Sequence, residues 1–310
     1  MTSKPHLILI VGPTAVGKTE LSIRLAERLN GEIVSADSRL FYRRMDIGTA
    51  KPTPEERDRV PHHLIDVADP DEIWSLAVFQ KKAMEIITDI HARGKLPFLV
   101  GGTGQYIRAV TEGWTPPEVK PDPRLRSVLE GLAEERGIHW LHAGLELIDP
   151  FAAKNIDPRN VRRTIRALEV IFTTGRPFSQ LRRRKETPYN LLSIGLKRSR
   201  EELYQRVDER IEAMFESGFL KEVEGLLAKG YSPELPTMSA IGYRECVRVI
   251  KGELNVEQAK VEMRRVTRVF VRRQANWFKE DDPDIHWFRS GQEDTLNLIE
   301  NLIRQQFPNA

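Results

Sequence analysis

The spacing of apolar positions changes several times along this 310-residue chain, and the changes mark its elements. Leu7-Ile8-Leu9-Ile10-Val11 is an unbroken apolar run, the pattern of a strand buried on both faces. Leu21, Leu25 and Leu29 follow at helical spacing, ending at Asn30-Gly31, a helix C-cap signal. Glu32-Ile33-Val34-Ser35-Ala36 reads as a second strand with Asp37-Ser38 at its end. Residues 39–72 are polar and irregular, the kind of long loop that is usually functional or mobile. A helix is expected from about Ser75 to Arg93, closed by Gly94. A buried strand, Leu96–Val100, then runs into Gly101-Gly102-Thr103-Gly104. Strands return at Leu191–Leu196 and at Ile285–Phe288, so the ends of the chain predict an α/β sheet.

Between residues 116 and 190 the pattern is helical and strands are absent. Asp122-Pro123 opens a helix with Leu125, Val128, Leu129 and Leu132 inward, and a short helix covers Trp140–Leu147. Asp157-Pro158 opens a third, whose apolar face is Val161, Ile165, Leu168 and Phe172. Residues 116–190 therefore read as an all-helical insertion into an α/β domain made of 1–115 and 191–310. Further on, Ser199 and Glu202 form a capping box. The helix it opens turns Tyr204, Val207, Ile211, Met214 and Phe215 inward and projects Arg206 and Arg210 together, either towards the phosphate rim or into surface ion pairs. A long helix is expected from about Val256 to Lys279, capped by Asn255, with Phe270, Trp277 and Phe278 read as core, and a short amphipathic helix ends the chain.

The stretch Gly12-Pro13-Thr14-Ala15-Val16-Gly17-Lys18-Thr19 fits G-x-x-x-x-G-K-[ST], the P-loop, and it lies between a strand and a helix as that motif requires. Backbone N–H groups of such a loop cradle a phosphate chain at a helix N-terminus, with Lys18 as a cation and Thr19 as a hydroxyl ligand for Mg²⁺. Asp37 and Ser38, at the end of the next strand, belong on the same rim or cap a helix there. P-loop kinases and NTPases usually place an acid at the end of an apolar strand to hold Mg²⁺. Here Phe98-Leu99-Val100 ends in glycines and a threonine, and Asp66 is a weaker candidate. ATP hydrolysis and γ-phosphoryl transfer are thereby disfavoured. His62 and His63 are adjacent and point different ways, which argues against a shared metal.

The single cysteine, Cys246, excludes an internal disulfide framework and fits a reducing compartment. No apolar run approaches the ~20 residues of a membrane span, and the first strand leaves no room for a signal sequence. A cytoplasmic protein is expected. The formal net charge is only +3, but its distribution is uneven. From Pro158 to Lys185 there are nine basic residues (Arg159, Arg162, Arg163, Arg166, Arg176, Arg182, Arg183, Arg184 and Lys185) and one acid, Glu169. A solvated helix face is the ordinary explanation of one basic stripe. An excess of this size is better explained by a polyanion larger than one nucleotide. Arg264, Arg265, Arg268, Arg272, Arg273 and Lys279 make a second basic strip.

Taken together, the motifs resemble those of the bacterial tRNA dimethylallyltransferases, also called tRNA isopentenyltransferases. The resemblance rests on Gly12–Thr19, on Asp37-Ser38-Arg39-Leu40-Phe41-Tyr42 through Met45-Asp46-Ile47-Gly48-Thr49-Ala50-Lys51-Pro52, and on Gly101-Gly102-Thr103-Gly104. It extends through Arg166-Ala167-Leu168-Glu169-Val170, Ala240–Glu245 and Thr267-Arg268 through Gln274 to Trp277-Phe278, nearly the whole chain. It implies a P-loop kinase-like parallel sheet core whose helical insertion clamps a tRNA anticodon stem-loop, and transfer of a dimethylallyl group from dimethylallyl diphosphate to N6 of adenosine 37. It also implies Mg²⁺, and a P-loop that holds a diphosphate leaving group. Lys18, Thr19 and Arg210 would stabilise that group. Asp37 would be the general base, and Thr103 would contact the tRNA near the reacting atoms. Asp37-Ser38-Arg39-Leu40, Arg126 and the stretch Arg162-Arg163-Thr164-Ile165-Arg166 would contact the tRNA, and a monomer is expected.

Many members carry Gln where Leu40 and Arg162 stand, and usually Leu where Gln105 stands. Position 40 therefore offers no polar side chain to the base. Eukaryotic relatives add a C-terminal zinc finger, which a chain with one cysteine lacks, so the chain looks bacterial. Three other readings compete: prenyl transfer to free AMP, which would need no extended basic surface; a P-loop small-molecule kinase; and a nucleotide-switched RNA-binding module in which Asp37 is only a cap.

Overall fold

The structure is a computed structural model that describes residues 4–308 apart from 116, 118, 182 and 185. Arg182 and Lys185 of the basic stretch lie outside the described residues. So do the side chains of Arg183 and Arg184. The chain forms two compact units, one of Met1–Thr111 with Pro188–Ala310 and one of Glu112–Thr187.

The strands are β1 (His6–Val11), β2 (Gly31–Ser35), β3 (His62–His63), β4 (Leu96–Gly101), β5 (Trp114–Thr115), β6 (Arg183–Arg184), β7 (Asn190–Lys197) and β8 (Ile285–Arg289). Six of them build the sheet of the larger unit in the order β3-β2-β4-β1-β7-β8. Every pairing is parallel, with Ile10 opposite Val100 on one side and Ile194 on the other. The sheet explains the unbroken apolar runs: Leu7, Ile8, Ile10, Phe98, Leu99 and Ile194 are sealed on both faces by helices. Parallel strands also carry their C-terminal ends to one edge. The turn after β1, Asp37 after β2, Thr103 after β4 and Arg198 after β7 therefore gather there without being near in sequence.

Three expectations for this unit change. Residues 39–72 are less irregular than their composition suggests, because they hold the helix Pro54–Arg59 and strand β3. The helix has its own signal, Thr53 and Glu56 in a capping box with Pro54 at the first position. The long C-terminal helix is Val256–Gln274 and stops before Lys279. Phe270 is exposed although its spacing reads as core.

The smaller unit packs the helices Pro123–Arg136, Ile138–Ile148 and Val161–Thr174 around Leu129, Leu141, Leu145, Ile165, Leu168 and Ile171. It is helical apart from β5 and β6, an antiparallel pair of two residues each, too short to impose an alternating pattern on the sequence. The third helix starts at Val161 under an Asn160 cap, not at Pro158, and Asp149-Pro150 opens a short helix, Pro150–Lys154, that the apolar spacing does not announce. Val128 and Phe172, expected inward, are 60% and 54% exposed.

Candidate active site

The turn after β1 is built by backbone conformations that few residues adopt. Gly12 has φ 148° and Ala15 φ 65°, and a Cβ on Gly12 would lie 2.6 Å from the Leu196 carbonyl oxygen. The helix Lys18–Arg28 begins immediately, and its N-cap, Gly17, makes no side-chain capping bond. The first-turn amides and the positive end of the helix dipole therefore form an anion seat. Lys18 Nζ donates to the carbonyls of Gly12 (2.9 Å) and Pro13 (2.8 Å), which folds the ammonium over the loop. Thr19, one residue on, is exposed.

Side chains from remote elements brace this loop. Arg206 Nε donates to the Ala15 carbonyl (2.7 Å), and Arg198 Nε to the Val16 carbonyl (3.2 Å). Thr14 N donates to Gln274 Oε1 (2.8 Å). The i,i+4 spacing places Arg206 beside Arg210, so that pair reaches the phosphate rim. Sequence reasoning missed Arg198 and Gln274, whose partners lie about 180 and 260 positions away.

Beside the loop lies a cavity of about 560 Å³, lined by Thr14, Asp37, Ser38, Arg39, Thr103 and Arg210, and by Thr267, Phe270 and Trp277 among others. Asp37, Lys18 and Arg210 share one electrostatic neighbourhood. Burial pushes Lys18 down to about 8, with Asp37 opposing and Arg210 adding to the shift. Arg210 is lowered first by burial and then by Arg206, against Asp37. Asp37 Oδ1 accepts from Arg39 N (3.0 Å), so the aspartate caps a turn and not a helix. Leu40 is not part of the lining. Trp277 closes one wall with Arg108 stacked on its ring at 5.3 Å.

The segment Met45–Lys51 is held as a rim of this cavity. Glu222 accepts from the amides of Asp46 (2.9 Å), Ile47 (2.7 Å) and Gly48 (3.3 Å), and from the Tyr243 hydroxyl (2.6 Å). Any side chain on Gly48 would collide with Phe219 and Tyr243. Asp66, the weaker candidate for a metal-holding acid, is taken up by Lys51 (2.5 Å) and Arg57 (2.7 Å). His62 meets the Val60 carbonyl and His63 meets Glu32. Among the described residues no three His, Cys, Asp or Glu side chains converge as a metal site. No helix among them is long and apolar enough to cross a membrane.

In the helical unit the residues expected at the tRNA divide into three kinds. Arg162 and Arg163 are exposed, with no ion-pair partner among the described residues. Thr164 and Ile165 are 1% and 3% exposed, so their side chains are core. Arg126 and Arg166 both grip Glu169, whose side chain is fully buried. Burial alone would raise that carboxyl, but the hydrogen bonds from Arg126 and Arg166 outweigh it and hold it at about 2. On the second basic strip, Arg264 pairs with Glu212 and Arg268 with Asp208, leaving Arg265, Arg272 and Arg273 exposed.

A parallel sheet with a phosphate loop at its edge, an aspartate on the neighbouring strand end and a roomy cavity beside them defines a P-loop transferase. Comparison with known proteins makes this specific. The family model described as IPP transferase matches residues 40–281, and a second, described as isopentenyl transferase, matches 5–66. A tRNA dimethylallyltransferase of Roseiflexus sp. (strain RS-1) is 52% identical over 299 residues, 96% of this chain and 98% of the relative. The protein of that name from Thermomicrobium roseum is 44% identical, over 99% and 94%. Among solved structures, the full-length tRNA isopentenylpyrophosphate transferase of Bacillus halodurans aligns with a TM-score of 0.74 at 43% identity, covering 98% of this chain and 97% of its own. A eukaryotic dimethylallyltransferase acting on tRNA aligns with a TM-score of 0.82 at 28% identity, covering 98% and 79%. The chain belongs to the tRNA dimethylallyltransferase family and is a prenyltransferase.

Proposed function

We propose that the chain transfers the dimethylallyl group of dimethylallyl diphosphate to N6 of adenosine 37 in the tRNA anticodon loop, releasing diphosphate. The observation that supports this reading best is the placement of Asp37, Arg210 and Thr14 of the phosphate loop on one cavity, with Lys18 and Arg210 both in the electrostatic neighbourhood of Asp37. In the step, the allylic C–O bond breaks and its electron pair leaves with the diphosphate. N6 forms the new bond to that carbon and loses a proton. The loop amides, Lys18 and Arg210 stabilise the charge that grows on the leaving group. The exocyclic amine is a poor nucleophile because its lone pair is conjugated with the ring, so Asp37 assists by accepting its proton. Thr103 lines the same cavity and orients the base, which has to leave its stack to enter.

The donor set suits Mg²⁺. Thr19 offers a hydroxyl beside the anion seat, and among the described residues no cage of carboxylates competes for the ion. That fits a metal that binds mostly through substrate phosphates and water. When bound, Mg²⁺ supplies further charge neutralisation to the diphosphate. Arg162 and Arg163, and Arg265, Arg272 and Arg273 of the second strip, supply cations for the stem-loop phosphates. This exposed charge favours tRNA over free AMP as acceptor. We read the enzyme as cytoplasmic, because tRNA is its substrate, and as a monomer.

Incubation with radiolabelled dimethylallyl diphosphate, Mg²⁺ and an anticodon stem-loop bearing A36-A37-A38 is expected to label the RNA. Label on AMP and none on RNA would replace this reading with the mononucleotide one. Phosphoryl transfer from ATP without prenylation would replace it with a kinase.

A further inference from the structure

We infer that Gln274 is a positioning residue that locks the leaving-group loop to the acceptor-side loop. It ends the helix Val256–Gln274, and its side chain is buried, the residue being 6% exposed. Its Oε1 accepts from Thr14 N at 2.8 Å, and its Nε2 donates to the Gly102 carbonyl at 3.2 Å. Thr14 belongs to the phosphate loop after β1, and Gly102 precedes Thr103 in the loop after β4. One planar amide thus bridges two sheet-edge loops that carry the two halves of the reaction.

The chemistry selects this residue type. Thr14 N–H needs an acceptor and the Gly102 carbonyl needs a donor. A carboxamide carries both on adjacent atoms, whereas Glu lacks the donor and Met lacks both. Gly102 completes the arrangement: a Cβ there would collide with the Gln274 amide, so the close approach requires glycine. The bridge also determines which loop amides face the anion seat, since the Thr14 N–H is turned away to Gln274. A bridge of this kind fixes the distance between the departing oxygen and the base held near Thr103, on which near-attack geometry depends.

This inference rests on the reading of the loop as a diphosphate seat, and the test separates the two. Binding of inorganic diphosphate with Mg²⁺ is measured by calorimetry on the full-length chain, and exchange of the Thr14 amide is followed in parallel. Absence of diphosphate binding by the unaltered protein would remove the seat itself. Given binding, Gln274→Met should speed Thr14 exchange and weaken diphosphate by roughly tenfold, the scale of a lost buried hydrogen bond. Gly102→Ala should do the same with Gln274 left in place, and it is the informative variant if Gln274→Met fails to fold. The double variant should be little worse than either single one, because both break one bridge. Unchanged Thr14 exchange and affinity, or effects that simply add, would overturn the role of Gln274.

Discussion

Arg126 and Glu169 meet as a two-pronged pair, Nε to Oε1 at 2.8 Å and Nη2 to Oε2 at 2.9 Å. Arg166 adds a bond to Oε2 at 2.6 Å, and the Asp122 amide one to Oε1 at 2.8 Å. The one acid in the basic stretch is therefore a buried anchor that draws two guanidinium groups of the helical unit together. Their outer edges remain partly exposed, so they can serve a polyanion while held in place.

Removing that anchor should cost stability first. Glu169→Gln leaves two guanidinium groups without a counter-charge around a buried amide. Loss of about 2–4 kcal/mol is expected, discounted from fully buried pairs because the arginines reach solvent. The sign with pH follows from the direction of the shift. A carboxyl held at about 2 when folded gives stability that is complete above its unfolded value near 4.5 and disappears as pH falls through about 2. Calorimetric melting of the wild type between those pH values should show the loss, and Glu169→Gln should flatten it. An equal slope in both proteins would show that Glu169 is not the titrating anchor.

Asp37 combines two roles that substitutions can separate. Its Oδ1 caps Arg39 N, so Asp37→Ala removes both the turn cap and the base, whereas Asp37→Asn keeps an oxygen for the cap. Turnover should fall by ~10²–10⁴-fold in both variants, the usual scale for a general base, with stem-loop affinity nearly unchanged in Asp37→Asn. Single-turnover labelling and filter binding measure the two effects. Near-normal turnover in Asp37→Asn would reduce the residue to a cap.

Lys18 gives a pH signature on the donor side. Burial lowers it to about 8, so the free site loses its cation as pH rises through that value, and binding a diphosphate restores it. Affinity for inorganic diphosphate should weaken above pH 8 in the wild type, with proton uptake on binding. In Lys18→Arg the charge persists and the wild-type excess in slope should vanish once the ligand's own titration, common to both, is subtracted. Calorimetry in buffers of different ionisation enthalpy reads the proton uptake directly.

The phosphate loop, Asp37, Thr103 and the buried strands were legible because each writes a local pattern: a fixed motif, a strand end, an apolar run. The paired projection of Arg206 and Arg210 was legible for the same reason. The bridges were not. Gln274 to Thr14, Glu222 to the amides of residues 46–48 and Arg198 to Val16 join positions far apart in sequence. Such partners are set by the sheet order and leave no periodicity behind. Apolar spacing already puts Ile165 on the inward face, whereas the tRNA-contacting stretch implied by the resemblance runs through Thr164 and Ile165, whose side chains the helix turns into the core. Position on a helix face, and not membership of a basic run, decides which side chain meets a partner.

That distinction leads to a last expectation about the basic helix Val161–Thr174. Arg162 and Arg163 are exposed and without ion-pair partners among the described residues, so each is available to a phosphate. Arg162→Ala and Arg163→Ala should each weaken stem-loop binding about equally for any loop sequence, and each should reduce the slope of log affinity against log salt by about 0.7–0.9. Neither should lower the melting temperature. Arg166→Ala should behave differently, because Arg166 also holds Glu169 and the Val119 carbonyl at 2.8 Å. It should lose stability together with affinity. Filter binding across a salt series, beside thermal melts of the same samples, separates the two classes. A salt slope unchanged by Arg162→Ala and Arg163→Ala would make that face an ordinary solvated surface and move the RNA contact to Arg265, Arg272 and Arg273.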